Sequence, residues 1–217
     1  MPVEKIEKRK ALDIAAESDL LKVARKIASS CNYEVGHAER TSNAALMLFD
    51  QLAPLHKLGA SERELLLAAS LLHDIGWING RNKHHKTTLE IIINTRELPL
   101  PEKRRIMLGL IARYHRKSLP DNSHKYYADL DGASRNTIDQ LAALLRIADG
   151  LDKSRGSVIE KLECLVSQDQ IIISVFGKKI MQEDIKAGAI KADLLEKVFK
   201  KEVCVRRGRE PEQRPQE

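Results

Sequence analysis

Apolar residues recur at helical spacing through the first three-quarters of the chain, and no strand-like alternation appears before residue 155. That pattern restricts the region to a bundle of packed helices. Aromatic residues make up only 4% of the chain, so Leu, Ile, Val and Ala must supply most of the core. Residues 5 to 29 place Ile6, Ile14, Leu21, Ala24, Ile27 and Ala28 among charges, as an amphipathic helix does. A second helix is expected from near Glu34, with His37, Ala44, Ala45, Leu48, Phe49 and Leu52 near one face. Pro54 bends or shortens its end and Gly59 stops it. Ser61 followed by Glu64 is a capping-box signature, and LLLAASLL then runs to Gly76 as a C-terminal stop. INGRNK reads as a loop and HHKTTLEIIIN as a helix, while LPLPEKRR starts another with Pro101 at an early position. A polar loop, SLPDNSHKYYADLDGAS, precedes a long helix in RNTIDQLAALLRIADGLDKS, with Ile138, Leu141, Leu145 and Ala148 inward.

The remainder of the chain has a different period. VIEKLECLVSQDQIIISVFG is dense in β-branched residues on both sides of a polar break at Ser167–Gln170, which reads as a hairpin. DIKAGAIKADLLEKVFKKEV returns to helix, with a short strand at Val203–Val205, and RRGREPEQRPQE lacks the apolar content to fold. The expected architecture is mainly α with a small C-terminal α+β lobe, a β-hairpin plus helix. Its parts are residues 1–156 as the helical domain (1–30 the N-terminal helix), 157–206 as the lobe and 207–217 as a disordered tail. Ile171, Ile172, Ile173, Val175 and Phe176 are too apolar to stay exposed, so the lobe packs on the bundle or on a second copy, making a homodimer a fair expectation.

Composition excludes several classes. Cys31, Cys164 and Cys204 are odd in number and far apart, so they form no disulfide framework, and no CxxC pair points to zinc. The opening MPVEKIEKRKALDIAAESDLLK has no apolar stretch of signal-peptide length, and no window approaches the ~20 apolar residues that span a bilayer. A soluble, cytoplasmic protein without a membrane partner is expected. The net charge of +6 is a mild bias towards anionic partners. A pI of 9.2 and the basic runs KKI, VFKK and VRRGR raise nucleic acid as a partner, but no recognition motif supports it.

Four ionisable side chains disturb the apolar pattern. His73 and Asp74 end a helix whose LLLAASLL segment predicts burial. An unpaired buried carboxylate costs several kcal/mol or more, so Asp74 needs a metal, a cation or strong donors, unless the pair merely caps the helix end. His37 sits on the apolar face of its own helix. Asp149, in LLRIADGLD, shares a face with Leu141 and Leu145. Two acids and two histidines pointed into one bundle fit a divalent ion.

The order of these residues, in Gly36-His37-Ala38, Leu72-His73-Asp74-Ile75-Gly76 and Ile147-Ala148-Asp149, resembles the HD phosphohydrolase superfamily. LFDQLAPLHKLG, LLLAASLLHDIG, ARYHRKSLP, LAALLRIADGLDKS and KADLLEKVF more narrowly resemble the C-terminal HD portion of the exopolyphosphatase/guanosine-pentaphosphatase family, over roughly residues 20 to 205. The resemblance implies an HD-type helical bundle. That family normally carries two N-terminal actin-like ATPase-fold domains that supply its phosphatase site. Here only one helix precedes the matching region, so any catalysis is expected from the HD ligands. In HD enzymes with two metals, histidines between the HD pair and the last Asp bind the second ion while the Asp of the pair bridges. By similarity His84 and His115 take that role, with His85 as rival to His84; the other reading makes them a solvated loop pair and part of a basic cluster. His56 and His124 are read as ordinary surface or loop histidines.

The function expected from this set is metal-dependent phosphohydrolysis of a phosphorylated small molecule, nucleotide or polyphosphate-like substrate. His73 and Asp74 stand at the catalytic centre, and a metal on them lowers the pKa of the attacking water. One or two ions are expected, of Mn, Mg, Fe, Ni or Zn, since His/Asp ligation does not choose among these. Arg40, Lys86, Arg113, Arg116 and Lys117 are nearest in sequence to the ligands and are the candidates to bind substrate phosphate. The alternative is a regulatory module that binds a metal and a phosphorylated nucleotide without turnover.

Overall fold

The computed structural model describes residues 17–31, 33–80 and 82–208. The protein is mainly α with a small C-terminal α+β lobe. Its helices are α1 (Asp19–Ser30), α2 (Val35–Gln51), α3 (Ala53–His56), α4 (Ala60–Leu72), α5 (His84–Asn94), α6 (Glu102–Arg113), α7 (Gly132–Gly150), α8 (Gln182–Ile190) and α9 (Asp193–Phe199). A 3-10 turn, Ile75–Asn79, links α4 to α5. No helix among the described residues is long and apolar enough to cross a membrane.

Local chemistry sets most of these boundaries. The Ser18 hydroxyl accepts from the Leu21 N–H to start α1, and the Asp131 carboxylate accepts from the Ser134 N–H to start α7. The expected helix over residues 5 to 29 is found from Asp19; its earlier part lies outside the described residues. Pro54 falls at the start of α3, so the second helix is divided there rather than run on to Gly59. The capping signature at Ser61 is a correction: α4 begins two residues earlier, with Gly59 as its N-cap and the Glu62 carboxylate accepting the Gly59 N–H at 3.3 Å. Ser61 and Glu62 instead receive Arg104 from α6, at 2.7 Å and 2.9 Å.

Helix α7 runs through the middle of the core, with Ile138, Leu141, Leu144, Leu145, Ile147 and Ala148 buried against α2, α4 and α6. Its buried Arg146 binds the Asp193 carboxylate through two nitrogens (3.0 and 2.7 Å) and the Tyr114 carbonyl at 3.0 Å, tying α7 to α9 and to the end of α6. In the lobe, β1 (Lys161–Val166) and β2 (Gln170–Phe176) form the expected antiparallel hairpin, with Lys161 opposite Phe176 and Val166 opposite Ile171. After α8 and α9, β3 (Glu202–Arg207) returns parallel to β2, so β2 is the central strand. Ile171, Ile173 and Val175 are fully buried in a cluster continuous with the bundle core. The tail expected to be disordered from 207 is in β3 at Arg207; residues 209–217 lie outside the described residues.

His56 is not the surface residue expected from its sequence context. It is buried at the end of α3, its Nε2–H donating to the Phe49 carbonyl (2.8 Å) and its Nδ1 accepting the Leu58 N–H (2.9 Å). Burial lowers its pKa from the ordinary 6.5, against the raising effect of the Phe49 carbonyl and Asp50. Protonation also destroys the acceptor for Leu58. Because the folded pKa lies below the unfolded one, this contribution to stability is complete above pH 6.5 and is lost as pH falls below it, by at most about 1.4 kcal/mol per pH unit. Urea unfolding of His56→Gln should therefore lose less stability between pH 7 and pH 5 than the wild type; equal slopes would contradict this.

Candidate metal centre

Five helix ends meet at one place. His37 lies in the first turn of α2, His73 and Asp74 directly follow α4, His84 opens α5, His115 follows α6, and Asp149 is in the last turn of α7. All four histidines are buried. His37 Nε2 stands 3.1 Å from His73 Nε2, 3.3 Å from Asp149 Oδ1 and 3.8 Å from Asp74 Oδ2. His73 Nε2 is 3.6 Å from the same Asp74 oxygen and 3.8 Å from Asp149 Oδ1. The other Asp74 oxygen, Oδ1, faces His84 Nε2 at 3.1 Å and His115 Nε2 at 3.5 Å. Asp74 thus stands between two clusters, His37–His73–Asp74 and Asp74–His84–His115, each with ligand atoms within 4.8 Å of one another.

The far side of the histidines fixes their tautomers. Nδ1–H of His37 donates to Asp152 Oδ2 (2.6 Å), that of His73 to the Ser70 carbonyl (2.7 Å), and that of His115 to the Ala112 carbonyl (2.6 Å). These acceptors cannot donate, so each ring in its neutral form turns an Nε2 lone pair into the centre. His84 Nε2, which faces Asp74, also lies 3.4 Å from the Arg116 guanidinium. Burial, reinforced by His73, lowers the pKa of His115 to about 3, which keeps it neutral. Burial would raise the Asp74 carboxyl, but His73, the hydrogen bond to His84 and His115 hold it at about 2. Asp149 is likewise pushed up by burial and brought well below the usual carboxylate range by Lys191, His115 and His73.

Asp152 was not singled out in the sequence; it lies three residues after Asp149, in the turn that follows α7. It receives His37 and, through both oxygens, Arg40 Nε (2.7 Å) and Nη2 (3.1 Å). The C-terminal lobe, in which the sequence showed no catalytic residue, contributes Lys191, whose ammonium donates to Asp149 Oδ2. Nothing local in KADLLEKVF signals that contact, which exists only because α8 and α9 pack on α7.

Gly76 is not a helix stop. A Cβ there would meet the backbone of α5, with Thr88 N at 2.7 Å and the His84 carbonyl nearer still. The Gly76 N–H donates to Thr88 Oγ1, which donates to the His73 carbonyl, both at 3.0 Å. The missing side chain lets α5 close on the His73–Asp74 turn and delivers His84. His85 points elsewhere, its ring 6.0 Å from that of His84, and joins neither cluster. His124 bonds Tyr114 Oη at 2.9 Å, away from the centre.

A cavity of about 700 Å³ opens on the centre, lined by His37, Asp74, Trp77, His115, Asp149 and Asp152 together with Arg116, Lys117, Arg146, Lys153, Arg155 and Lys191. Of the cations expected at a phosphate, Arg116 and Lys117 line it, whereas Arg40, Lys86 and Arg113 do not. Arg40 is engaged by Asp152, Arg113 lies over the Tyr114 ring at 5.4 Å, and Lys86 is exposed. The cations that sequence proximity missed, Arg146, Lys153, Arg155 and Lys191, come from α7, from the turn that follows it and from the lobe.

The model of one protein family, "Ppx/GppA phosphatase, domain III", matches residues 21–194. No curated protein matches the chain. The matched span contains the five residues of the two clusters, and also Asp149 and Lys191. On that match, over most of its length, the chain belongs to the family of Ppx/GppA phosphatase domain III.

Proposed function

We propose that this chain is an HD-type metal-dependent phosphohydrolase that cleaves a phosphoric ester or anhydride in a phosphorylated small molecule or nucleotide. The observation that carries the reading is the convergence of acceptors. The Nε2 atoms of His37 and His73 stand 3.1 Å apart, both turned outwards by Nδ1 donors, with Asp74 Oδ2 and Asp149 Oδ1 facing them. Lone pairs so crowded and buried repel one another unless a cation lies among them. The donor set suits a divalent ion such as Mn, Mg, Fe, Ni or Zn.

His37, His73, Asp74 and Asp149 would hold one ion, and Asp74 with His84 and His115 would hold a second. Such ions lower the pKa of water towards neutrality and neutralise charge on phosphoryl oxygens. The protein's own groups do the rest. Asp152 orients His37 and keeps its proton on Nδ1. Arg116, Lys117 and Lys191 line the cavity beside the centre and meet the negative charge that grows on the phosphoryl group. Membership of a phosphatase family supports the same class of reaction.

The test is a panel of phosphomonoesters, nucleotides and polyphosphate, assayed with each of the five metals. Turnover that depends on metal and is abolished by chelator is expected; binding without turnover of any compound would make the chain a sensor instead. Asp152→Asn should weaken metal affinity about 10–100-fold while the fold persists, read by competition with a chromophoric chelator. Unchanged affinity would show that Asp152 does not support a ligand.

A further inference from the structure

A second cavity, of about 280 Å³, reaches the same centre from another side. It shares His37, Asp74 and Trp77 with the cationic cavity, but the rest of its lining is Tyr33, Glu34, Ala38, Leu71 and His73. None of these is a Lys or Arg. The two openings therefore offer opposite chemistry on either side of Asp74: six Lys and Arg side chains on one, two aromatic side chains and a carboxylate on the other.

We propose that the smaller cavity is a subsite for a planar ring borne by the phosphoester substrate, with the phosphoryl group at Asp74 and the ring beside Tyr33 and Trp77. The inference rests on the phosphohydrolase reading for the position of the phosphoryl group. Its volume falls just short of the ~300–1,000 Å³ of pockets that enclose whole ligands, as suits one part of a ligand. Aromatic side chains beside a flat ring supply stacking, and Leu71 and Ala38 supply an apolar floor. Glu34, the N-cap of α2, gives the cavity one polar edge that accepts a ring N–H or an amino group. Its carboxylate pairs with Arg155, whose Nε lies 3.4 Å away and whose guanidinium carbon stands 5.9 Å over the Trp77 ring. A linear inorganic polyphosphate has no group that uses this opening, whereas a nucleoside phosphate does.

Trp77 is the only tryptophan of the chain and lines both cavities, so its fluorescence reports on a ligand at the centre, and the Tyr33 variants, which touch the smaller cavity alone, assign the opening. The full-length protein is mixed rapidly with adenosine 5′-monophosphate or with ribose 5-phosphate, the same ester without the ring, and emission is read before turnover. The nucleotide should quench Trp77 and bind roughly tenfold more tightly, the order that stacking on one aromatic side chain supplies. Tyr33→Ala should remove most of that preference and leave ribose 5-phosphate affinity unchanged, while Tyr33→Phe should restore it. Equal affinity for the two esters, failure of both to bind, or a preference that survives in Tyr33→Ala would overturn the subsite. Ring-dependent binding without hydrolysis of any ester strikes the hydrolase reading alone, and hydrolysis indifferent to the ring strikes the subsite alone.

Discussion

Asp74→Asn should bind neither ion stably and should lose phosphohydrolase turnover by much more than about 100-fold, the upper end of what distant supporting residues cost. The expectation follows from the use of both carboxylate oxygens. Oδ2 faces His37 and His73, and Oδ1 faces His84 and His115. An amide of the same shape replaces one oxygen by an NH₂ group, which repels a cation, and removes the negative charge that both clusters share. The same change should leave the metal-free protein folded with a modest loss of stability, because the surroundings hold the Asp74 carboxyl at about 2 and so favour its charged form. Melting in chelator separates this outcome from general unfolding. A variant that melts normally, retains full metal content and turns over substrate at the wild-type rate would remove Asp74 from the mechanism.

Gly76→Ala should cost about 3 kcal/mol of stability, at the high end for forcing one extra carbon into a packed site. Its Cβ has no open direction, since it points at the His84 carbonyl and the Thr88 backbone. Backbone cannot swing aside as a flexible side chain can, so the 3-10 turn and α5 must part. The separation also breaks the Gly76–Thr88–His73 hydrogen-bond chain and withdraws His84 from Asp74. Urea unfolding should show the loss of stability. Metal titration of the surviving folded fraction should show the His84–His115 cluster weakened more than the His37–His73 cluster. Wild-type stability would mean that α5 does not pack as closely as the structure has it.

How much of this was legible in the sequence depends on the range of the interaction concerned. The helices could be read because their apolar period is local, and the hairpin because β-branched runs flank a polar break at Ser167–Gln170. His37, His73, Asp74 and Asp149 stood out because ionisable groups on apolar faces contradict burial unless something compensates them. Asp152 carries no helical signal of its own, since it lies in the turn that follows α7 and meets His37 and Arg40 only through the packing of α2. Ser61 matched the capping pattern but is occupied by Arg104, a tertiary contact that no local motif encodes. Gly76 resembled a helix stop because glycine serves both for helix ends and for close backbone approach, and only packing tells the two apart. Lys191 and Arg155 were invisible for the same reason. They reach the centre through the docking of the lobe and the end of α7, far in sequence from His37 and Asp74.

The central claim is that buried side chains from five helix ends enclose a divalent ion. Crystals of the chelator-stripped protein soaked in manganese, with anomalous scattering measured at a wavelength where manganese scatters, test it directly. The account predicts a peak among His37 Nε2, His73 Nε2, Asp74 Oδ2 and Asp149 Oδ1, with a second between Asp74 Oδ1, His84 and His115 wherever two ions bind. Saturating manganese that leaves the space among these atoms without a peak, or that binds only at surface carboxylates, would contradict it.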